Sequence, residues 1–279
     1  MHQPEILRYA AFTDRPEGGN PAGIVLDAQG LETADMLAIA AEVGYAETAF
    51  LLPRGEREFD IRYFSPRIEV PFCGHATIAT AVALAERDGV GPMQLHTAAG
   101  AVAVDTHRDG NAIVATLTSV PPHVTDATPT LVDATLAALD WSADDLDPAL
   151  PPRIGFAGAR DLLLFAATRE RLARLDYDFE ALRRVCLEHD IISIVLAWRE
   201  SPSVLHVRSP FPLGGVVEDP ATGSAAAALG AYLRELGEVS LPCTVTIHQG
   251  EDMGRPSLLL VDIGNEPGIR VSGRAIPIR

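Results

Sequence analysis

The sequence predicts an α+β fold made of two related halves, each with strands arranged around one prominent helix. Two stretches carry this prediction: residues 71–77, Pro-Phe-Cys-Gly-His-Ala-Thr, and residues 218–224, Glu-Asp-Pro-Ala-Thr-Gly-Ser. Each is a tight turn that opens onto a helix, and a Ser-Pro pair precedes each turn when Gly74 is aligned with Gly223. The predicted strands do not alternate regularly with helices, which argues against a doubly wound parallel sheet.

The helices that follow the two turns are rich in alanine. They are predicted at residues 78–86 and 225–236. Small side chains let a helix lie close to the strands around it, so we expect each half to wrap its strands around this helix.

Apolar periodicity and turn residues define the other elements of the first half. Residues 33–42 place apolar side chains at helical spacing, and Gly44 follows as a stop signal. Residues 18–21, Gly-Gly-Asn-Pro, form a turn whose glycines supply positive φ angles. The predicted strands are 6–12, 23–26, 47–52, 59–64, 94–97, 101–106 and 112–117.

A change of composition to proline, small and polar residues at 121–129 marks a predicted linker. We therefore place the first half at residues 1–122 and the second at 129–268. Residues 142–145, Ser-x-x-Asp, have the pattern of a capping box. The predicted helices are 131–139 and 179–189, and the predicted strands are 160–168, 191–197, 204–207, 244–248, 257–263 and 269–278.

Composition and charge exclude several classes of function. The chain has 279 residues, is 47% hydrophobic, and carries 22 Lys and Arg against 38 Asp and Glu, a net charge of -16. This charge argues against general binding to nucleic acid or to anionic membranes, since both require a positive surface. Residues 1–9 carry polar and charged groups where a signal peptide would need an apolar run, and no stretch reaches the about 20 apolar residues of a membrane span. We therefore expect a cytoplasmic protein with a small-molecule ligand.

Neither cysteines nor histidines show the spacing of a metal site. The three cysteines include no Cys-x-x-Cys pair and predict no disulfide framework, which indicates a reducing compartment. His75, His96 and His107 are not spaced as metal ligands. The sequence predicts no metal.

The two helix starts are candidate anion-binding sites. A helix N-terminus exposes unpaired N–H groups and carries about half a positive charge. Gly74 and Gly223 remove side chains that would block close approach. If the two helix ends face one cleft, they form a binding site for a carboxylate or an enolate-like oxyanion. The spacing alone fits ordinary, internally capped helix starts equally well.

Glu47 is the candidate acid–base residue. It lies among apolar and small residues at the start of a predicted strand, in the segment Tyr-Ala-Glu-Thr-Ala-Phe. Such surroundings raise the proton affinity of a carboxylate, which then exchanges a proton near neutral pH. The alternative is a solvated glutamate at a strand end.

Other polar residues near the turns are further candidates. His75, at a helix start, is disfavoured as a cation, and as a neutral ring it donates or accepts a hydrogen bond; its alternative role is structural. Asp219 is a predicted helix cap, with binding a substrate amine or orienting His75 as alternatives. Ser224 either caps or binds a substrate oxygen. Cys73 is either a thiol base or a small buried side chain.

Five stretches occur in a characteristic order: residues 19–23, 41–50, 63–66, 69–77 and 218–224. Together they resemble the PhzF family, the phenazine-biosynthesis-like isomerases. Residues 249–256 and 271–273 extend the resemblance, which covers essentially the whole chain.

The resemblance implies a diaminopimelate-epimerase-like fold. This fold has two pseudo-symmetric halves, each a mostly antiparallel sheet wrapped around a central helix, with the active site in the cleft between them. The C-terminal strand, about 269–279, is expected to return to the first half. The resemblance also implies cofactor-independent catalysis and a homodimer.

The resemblance also implies roles for individual residues. The glutamate matching Glu47 moves a proton between carbons of a dihydro-hydroxyanthranilate. Groups matching His75, Asp219 and Ser224 are implied to line the site. The residues that we predict to bind substrate are Gly74, His75, Asp219, Thr222, Gly223 and Ser224. Ala46 stands where many relatives have serine, so a neighbouring hydroxyl is missing. Thiol-pair epimerases of this fold place a cysteine at each helix start, whereas here only the first position, Cys73, has one.

The sequence thus predicts an isomerase that moves a proton on a small carboxylate-bearing metabolite, with Glu47 as the acid–base residue and no cofactor. Two alternatives remain open. One is a protein that binds small carboxylates without chemistry. The other is an amino-acid epimerase or racemase that uses the Cys73 thiol with Glu47 as its partner.

Overall fold

The computed structural model describes residues 4–279, which divide into two compact units. The first unit contains the described residues up to Thr118 together with Val271–Arg279, and the second is Ser119–Arg270. Strands dominate both units and helices are few, so the predicted α+β class is confirmed.

The first unit consists mostly of strands, which surround one buried helix. Its elements up to Thr118 are β1 (Leu7–Ala11), β2 (Asn20–Val25), α1 (Thr33–Val43), β3 (Glu47–Gly55), β4 (Glu58–Phe64), β5 (Glu69–Val70), α2 (Gly74–Asp88), β6 (Met93–Thr97), β7 (Gly100–Asp109) and β8 (Ala112–Thr118).

The remaining elements follow in chain order. They are β9 (His123–Asp126), α3 (Pro129–Leu139), β10 (Arg153–Phe156), β11 (Arg160–Phe165), α4 (Arg169–Ala173), α5 (Phe179–His189), β12 (Ser193–Ser201), β13 (Val204–Arg208), β14 (Pro210–Phe211), β15 (Val216–Glu218), α6 (Gly223–Glu235), β16 (Cys243–Gln249), β17 (Ser257–Ile263) and β18 (Arg270–Pro277).

The strands of the first unit close on themselves like a barrel. The order runs β1, β2, β3, β4, β6, β7, β8 and β18, and β18 also pairs antiparallel with β1. The pairs β2–β3 and β4–β6 are parallel, whereas β1–β2, β3–β4, β6–β7 and β7–β8 are antiparallel. This closure leaves the strand ring without a free edge.

Helix α2 lies against several strands of this ring. It packs on β1, β2, β3, β7 and β8. All residues from 75 to 85 are buried, although the segment is mostly alanine and threonine. Small side chains bring the helix axis close to the strands, and this fixes the start of α2 firmly in the first unit.

The second unit is an open mixed sheet with helices packed on it. The order runs β9, β10, β11, β12, β13, β16 and β17, with parallel pairing at β11–β12 and β13–β16. Helix α6 packs on β9, β10, β11 and β17. A separate apolar cluster joins α3 and α5 to β11 and β12, with Leu139, Leu162 and Leu182 fully buried.

Glycine 19 shows why the first turn requires that residue. Its φ angle is 68°, and a Cβ there would lie 2.4 Å from the carbonyl oxygen of Ala11. Any side chain at this position would clash with the backbone, and the residue would have to adopt an unfavourable φ angle. The turn between β1 and β2 therefore depends on glycine.

Most predicted elements are confirmed, and the differences have local causes. Gly44 ends α1 in the left-handed conformation, as predicted. The predicted capping box at 142–145 is present and opens a short 3-10 helix. The predicted linker at 121–129 is wrong in part, because residues 123–126 form β9 and pair with β10. Both β10 and α4 were missed, and each is too short to show a clear period of its own.

Within residues 4–279, no helix is long and apolar enough to cross a membrane.

Candidate active site

The side chains of Glu47, Cys73 and His75 meet in the first unit. Oε2 of Glu47 lies 3.5 Å from Nε2 of His75 and 3.6 Å from Sγ of Cys73. Sγ of Cys73 lies 3.4 Å from Nδ1 of His75. The structure therefore brings together three candidates that the sequence separates into two segments.

Backbone pairing places these three side chains. Glu47 begins β3, where it lies opposite Ala22 of the parallel strand β2. Cys73 is the extended N-cap residue of α2, and Gly74 is the first residue of that helix. The strand start and the helix start are neighbours because α2 packs against both β2 and β3.

Hydrogen bonds fix the first turn of α2. The backbone N–H of Thr77 donates to the carbonyl oxygen of Cys73 at 3.0 Å, and the Thr77 hydroxyl donates to the same oxygen at 2.7 Å. The hydroxyls of Tyr63 and Thr77 are 2.6 Å apart. This network holds the backbone of Cys73 against the helix that follows it.

His75 is a neutral imidazole. Burial lowers the pKa of its ring to about 4, and a hydrogen bond to the backbone of Pro21 opposes this shift only in part. The side-chain amide of Asn20, itself 2% exposed, lies 3.1 Å from Nδ1 of His75. Although Glu47 is within ion-pair distance, burial outweighs its attraction because the ring is only 5% exposed.

Exposure to solvent increases from His75 through Cys73 to Glu47. Cys73 is 8% exposed, whereas the Glu47 side chain retains 16%. Glu47 is thus sheltered but reachable by a small molecule. The arrangement provides a carboxylate for proton transfer, a neutral ring for hydrogen bonding, and the N–H groups of a helix start for an anion.

The same three residues are also potential metal ligands. One ligand atom from each of Glu47, Cys73 and His75 lies within 4.8 Å of the other two. The prediction of no metal considered the spacing of cysteines and of histidines along the chain, each residue type by itself. The fold instead groups three different residue types.

The second candidate group is the turn before α6 in the second unit. The hydroxyl of Thr222 donates to Oδ2 of Asp219 at 2.5 Å. Gln249, 1% exposed, accepts from the backbone N–H of Thr222 and donates to the carbonyl oxygen of Asp219. Its amide therefore holds both ends of the turn that leads into Gly223 and Ser224.

A buried ion pair precedes this turn. Nε of Arg208 donates to Oε1 of Glu218 at 2.9 Å, and Nη2 donates to Oε2 at 2.5 Å. Arg208 is 8% exposed and Glu218 is 7% exposed. Nη1 of Arg208 also donates to the carbonyl oxygen of Ala173. This bidentate ion pair attaches the turn at residues 218–224 to the sheet.

The predicted helix cap at Asp219 is wrong. The N-cap of α6 is Thr222, and Pro220 and Ala221 separate Asp219 from that position. Asp219 contacts the Thr222 side chain instead. Gly223 is the first residue of α6 and Ser224 the second, so the helix begins two residues before its predicted start at residue 225.

Sequence reasoning did not single out three residues of these groups. Asn20 and Gln249 each lay in a stretch that carried the family resemblance, so a signal was present for both. No sequence pattern marked Arg208. Its pairing with Glu218 depends on how the chain bends between β13 and β15, which the sequence around Arg208 does not show.

Comparisons with known proteins agree with this architecture. The family model for PhzC-PhzF, described as phenazine biosynthesis-like protein, matches residues 9–279. A predicted epimerase from Pseudomonas aeruginosa, whose structure is solved, is 30% identical, with a TM-score of 0.86 over 99% of this chain and 98% of that one.

Two relatives are named isomerases. The uncharacterized isomerase YddE of Escherichia coli O157:H7 is 31% identical over 98% of this chain and 96% of its own length. The trans-2,3-dihydro-3-hydroxyanthranilate isomerase of Pseudomonas fluorescens is 34% identical over 93% of this chain and 89% of its own. The chain is therefore an isomerase and belongs to the family of phenazine biosynthesis-like proteins, PhzC-PhzF.

Proposed function

We propose that the protein moves a proton on a small carboxylate-bearing metabolite, and that Glu47 takes and returns this proton. The observation that carries the proposal is the 3.5 Å separation between the Glu47 carboxylate and the neutral ring of His75. A neutral imidazole, unlike an imidazolium, does not hold the carboxylate in an ion pair. Glu47 can then act as a general base.

The proposed reaction needs only proton transfer. Glu47 removes a proton from a substrate carbon, and the electron pair of the C–H bond passes into an enolate-like anion. His75 and the N–H groups at Gly74 stabilise the negative charge as it develops. The protonated Glu47 then delivers the proton to another carbon, which restores the carboxylate. No electrons leave the substrate, so the scheme requires no redox cofactor.

The substrate class is supported by one relative. The Pseudomonas fluorescens relative is named for a dihydro-hydroxyanthranilate, and anthranilates carry a carboxylate. A helix N-terminus suits this group. In the second unit, Asp219, Thr222, Gly223 and Ser224 remain the proposed substrate-binding residues.

The test is proton exchange in deuterated water. Small carboxylates, with trans-2,3-dihydro-3-hydroxyanthranilate among them, are incubated with the enzyme, and loss of C–H signals is followed by NMR. Glu47→Gln is expected to bind the same compounds but to lose turnover by about 10²- to 10⁴-fold, the usual contribution of a positioned acid or base. Glu56→Gln, at an exposed position, serves as the matched control.

Undiminished exchange by Glu47→Gln would refute the role of Glu47. If carboxylates bind and none exchanges a proton with either enzyme, the binding-protein alternative is favoured instead.

A second mechanism has one specific observation in its favour. The Cys73 thiol lies 3.6 Å from the Glu47 carboxylate, close enough for the two to act as an acid–base pair in an amino-acid epimerase. That mechanism predicts deuterium at the α-carbon of an amino acid and inactivation by selective alkylation of Cys73. Cys243, a partly exposed thiol, provides the control for alkylation elsewhere.

For assembly, a homodimer is our expectation. Light scattering coupled to size-exclusion chromatography distinguishes it from a monomer.

A further inference from the structure

The two ring nitrogens of His75 have different neighbours. The side-chain nitrogen of Asn20 lies 3.1 Å from Nδ1, and Oε2 of Glu47 lies 3.5 Å from Nε2. Sγ of Cys73 lies 3.4 Å from Nδ1 and 3.8 Å from Nε2, which puts the sulfur beside the ring and in line with neither lone pair. Asn20 and Glu47 are therefore the side chains that distinguish one nitrogen from the other.

These two neighbours favour the same tautomer of the ring. A neutral imidazole has one N–H donor and one acceptor nitrogen. The amide N–H of Asn20 can only donate, so Nδ1 has to accept and carries no hydrogen. The ring hydrogen then lies on Nε2, where the carboxylate of Glu47 is an acceptor.

The reverse arrangement is unfavourable. Rotation of the Asn20 amide by half a turn would place its oxygen at Nδ1, which requires a hydrogen on that nitrogen. Nε2 would then present a lone pair to a carboxylate oxygen 3.5 Å away, and the two would repel each other. The contact at Nε2 thus supports the amide orientation at Nδ1, although the two side chains belong to different strands, β2 and β3.

The backbone of Pro21 also hydrogen-bonds the ring. A carbonyl oxygen accepts only from a ring N–H, so this bond requires one hydrogen on the ring. It does not by itself identify the nitrogen that carries the hydrogen. The choice between the two nitrogens is left to Asn20 and Glu47.

The fold holds the Asn20 amide against the ring. Asn20 is the first residue of β2, pairs with Ala11 of β1, and is 2% exposed. Gly19, at the turn that admits no side chain, precedes it. His75 is the second residue of α2, which packs on β2. A side chain fixed by a strand ladder and by close packing keeps one orientation toward its partner.

We propose that Asn20 is a positioning residue: by donating to Nδ1 it keeps the hydrogen of His75 on Nε2, so that the ring is a hydrogen-bond donor on the side of Glu47. Asn20 acts through His75 and transfers no proton itself. The consequence for catalysis rests on the proposed function, whereas the tautomer does not.

An N–H on Nε2 suits a reaction that develops negative charge beside Glu47. The enolate-like anion of the proposed reaction gains a hydrogen bond from a neutral donor. With the hydrogen on Nδ1 instead, Nε2 would present a lone pair to that anion. The tautomer therefore decides whether His75 stabilises the developing charge or opposes it.

The direct test is NMR of protein with nitrogen-15 in its histidine rings. Two-bond correlations between ring hydrogens and ring nitrogens show which nitrogen is protonated. His75, identified by the resonances that His75→Gln removes, should show an unprotonated Nδ1 and a protonated Nε2 near neutral pH. A hydrogen on Nδ1 in the wild-type protein, which would make Asn20 the acceptor, overturns the proposal.

Asn20→Asp replaces the amide donor with an acceptor of the same shape. A hydrogen should then appear on Nδ1, either because the tautomer changes or because the ring gains a second proton. Asn111→Asp makes the same change at an exposed turn between β7 and β8, and it should leave the His75 spectrum as it is. An unaltered spectrum in folded Asn20→Asp would refute the selection of the tautomer by Asn20.

A neutral variant covers the case in which Asn20→Asp does not fold. Asn20→Leu removes the donor without adding a charge, and circular dichroism verifies its fold. Its Nδ1 resonance should move toward that of a nitrogen that accepts no hydrogen bond. A resonance that stays in place would show that Asn20 does not donate to Nδ1.

Turnover separates positioning from a purely structural role. In the proton-exchange assay, Asn20→Asp should lose about 10²- to 10³-fold in kcat, the usual effect of removing one hydrogen-bond donor to a developing oxyanion. The change in KM should be smaller, because the lost interaction belongs to the transition state. A folded variant with the hydrogen on Nδ1 and an undiminished kcat would show that the tautomer has no part in catalysis.

The two proposals fail separately. If Glu47→Gln retains turnover, the catalytic assignment of Glu47 is lost while the ring spectrum still decides the role of Asn20. If the wild-type ring carries its hydrogen on Nδ1, the role of Asn20 is lost while the proton-exchange assay still decides the function.

Discussion

Nε2 of His75 lies 3.5 Å from Oε2 of Glu47, although one residue belongs to a helix start and the other to a strand start. Burial keeps the ring neutral, so this contact joins a carboxylate to a hydrogen-bonding ring rather than to a cation. The chemistry of the site depends on that charge state. A neutral ring can stabilise developing negative charge while leaving the carboxylate free of an ion pair with it.

The first prediction concerns the charge of His75. Its pKa of about 4 keeps the ring neutral between about pH 5 and pH 8, where histidine ordinarily titrates. NMR of ring-labelled histidine should show one resonance that does not shift in this range. His75→Gln, which removes that resonance, assigns it. A midpoint near the ordinary value of 6.5 would contradict the neutral state.

The second prediction concerns Asp161, a buried residue outside the site. Burial raises the pKa of its carboxyl from 3.8 to about 7, and a hydrogen bond from Ser193 opposes the shift. The folded state therefore binds more protons than the unfolded state between these values. The free energy of unfolding should fall as pH rises from 3.8 to about 7 and then level off.

Asp161→Asn isolates this effect. It removes the ionisable group at nearly constant shape, so the variant should be more stable than wild type above pH 7. Each pKa unit corresponds to about 1.4 kcal/mol, so the difference should reach a few kcal/mol. His75 contributes the opposite slope below pH 6.5, since its folded pKa is depressed, and only paired variants separate the two. Equal pH dependence in urea unfolding of the variant and wild type would disprove the prediction.

The third prediction concerns the buried pair of Arg208 and Glu218. Arg208→Met leaves the Glu218 carboxylate buried without its bidentate hydrogen-bonding partner. Removing one member of such a pair typically costs about 3–5 kcal/mol, whereas replacing both with apolar residues is often close to neutral. Arg208→Met should therefore be much less stable in urea than the double variant Arg208→Met/Glu218→Leu. Additive losses in the double variant would show that the pair is not coupled.

The fourth prediction concerns the packing of α6. A Cβ at Gly230 would lie 2.8 Å from Cγ1 of Val261 and 3.0 Å from Cγ2 of Ile269. Overpacking costs about 1–3 kcal/mol, while alanine in a helix gains at most about 1 kcal/mol over glycine. Gly230→Ala should therefore destabilise the protein. Gly264→Ala, where the nearest atom is 3.9 Å away, should be close to neutral, and thermal unfolding compares the two. A stabilised Gly230→Ala variant would mean that β17 moves away from the helix at little cost.

The sequence predicted the long, periodic elements well and the short ones poorly. The strand at 257–263 and the helix at 179–189 were found at their predicted bounds. The predicted linker contained β9, because a four-residue edge strand carries almost no pattern of its own. Helix α2 begins at Gly74, four residues before its predicted start, since its first turn has no apolar stripe to mark it.

The sequence by itself determined the fold class, the two alanine-rich helices, the two turns that open them, and Glu47 as a residue of interest. Tertiary structure alone decided that Glu47, Cys73 and His75 touch, that Gln249 holds the turn at Asp219, and that Arg208 pairs with Glu218. The physical reason is that turns and helix starts are set by neighbours in the chain. Contacts between a strand start and a helix start are set by how β2, β3 and α2 pack, and spacing along the chain does not record that.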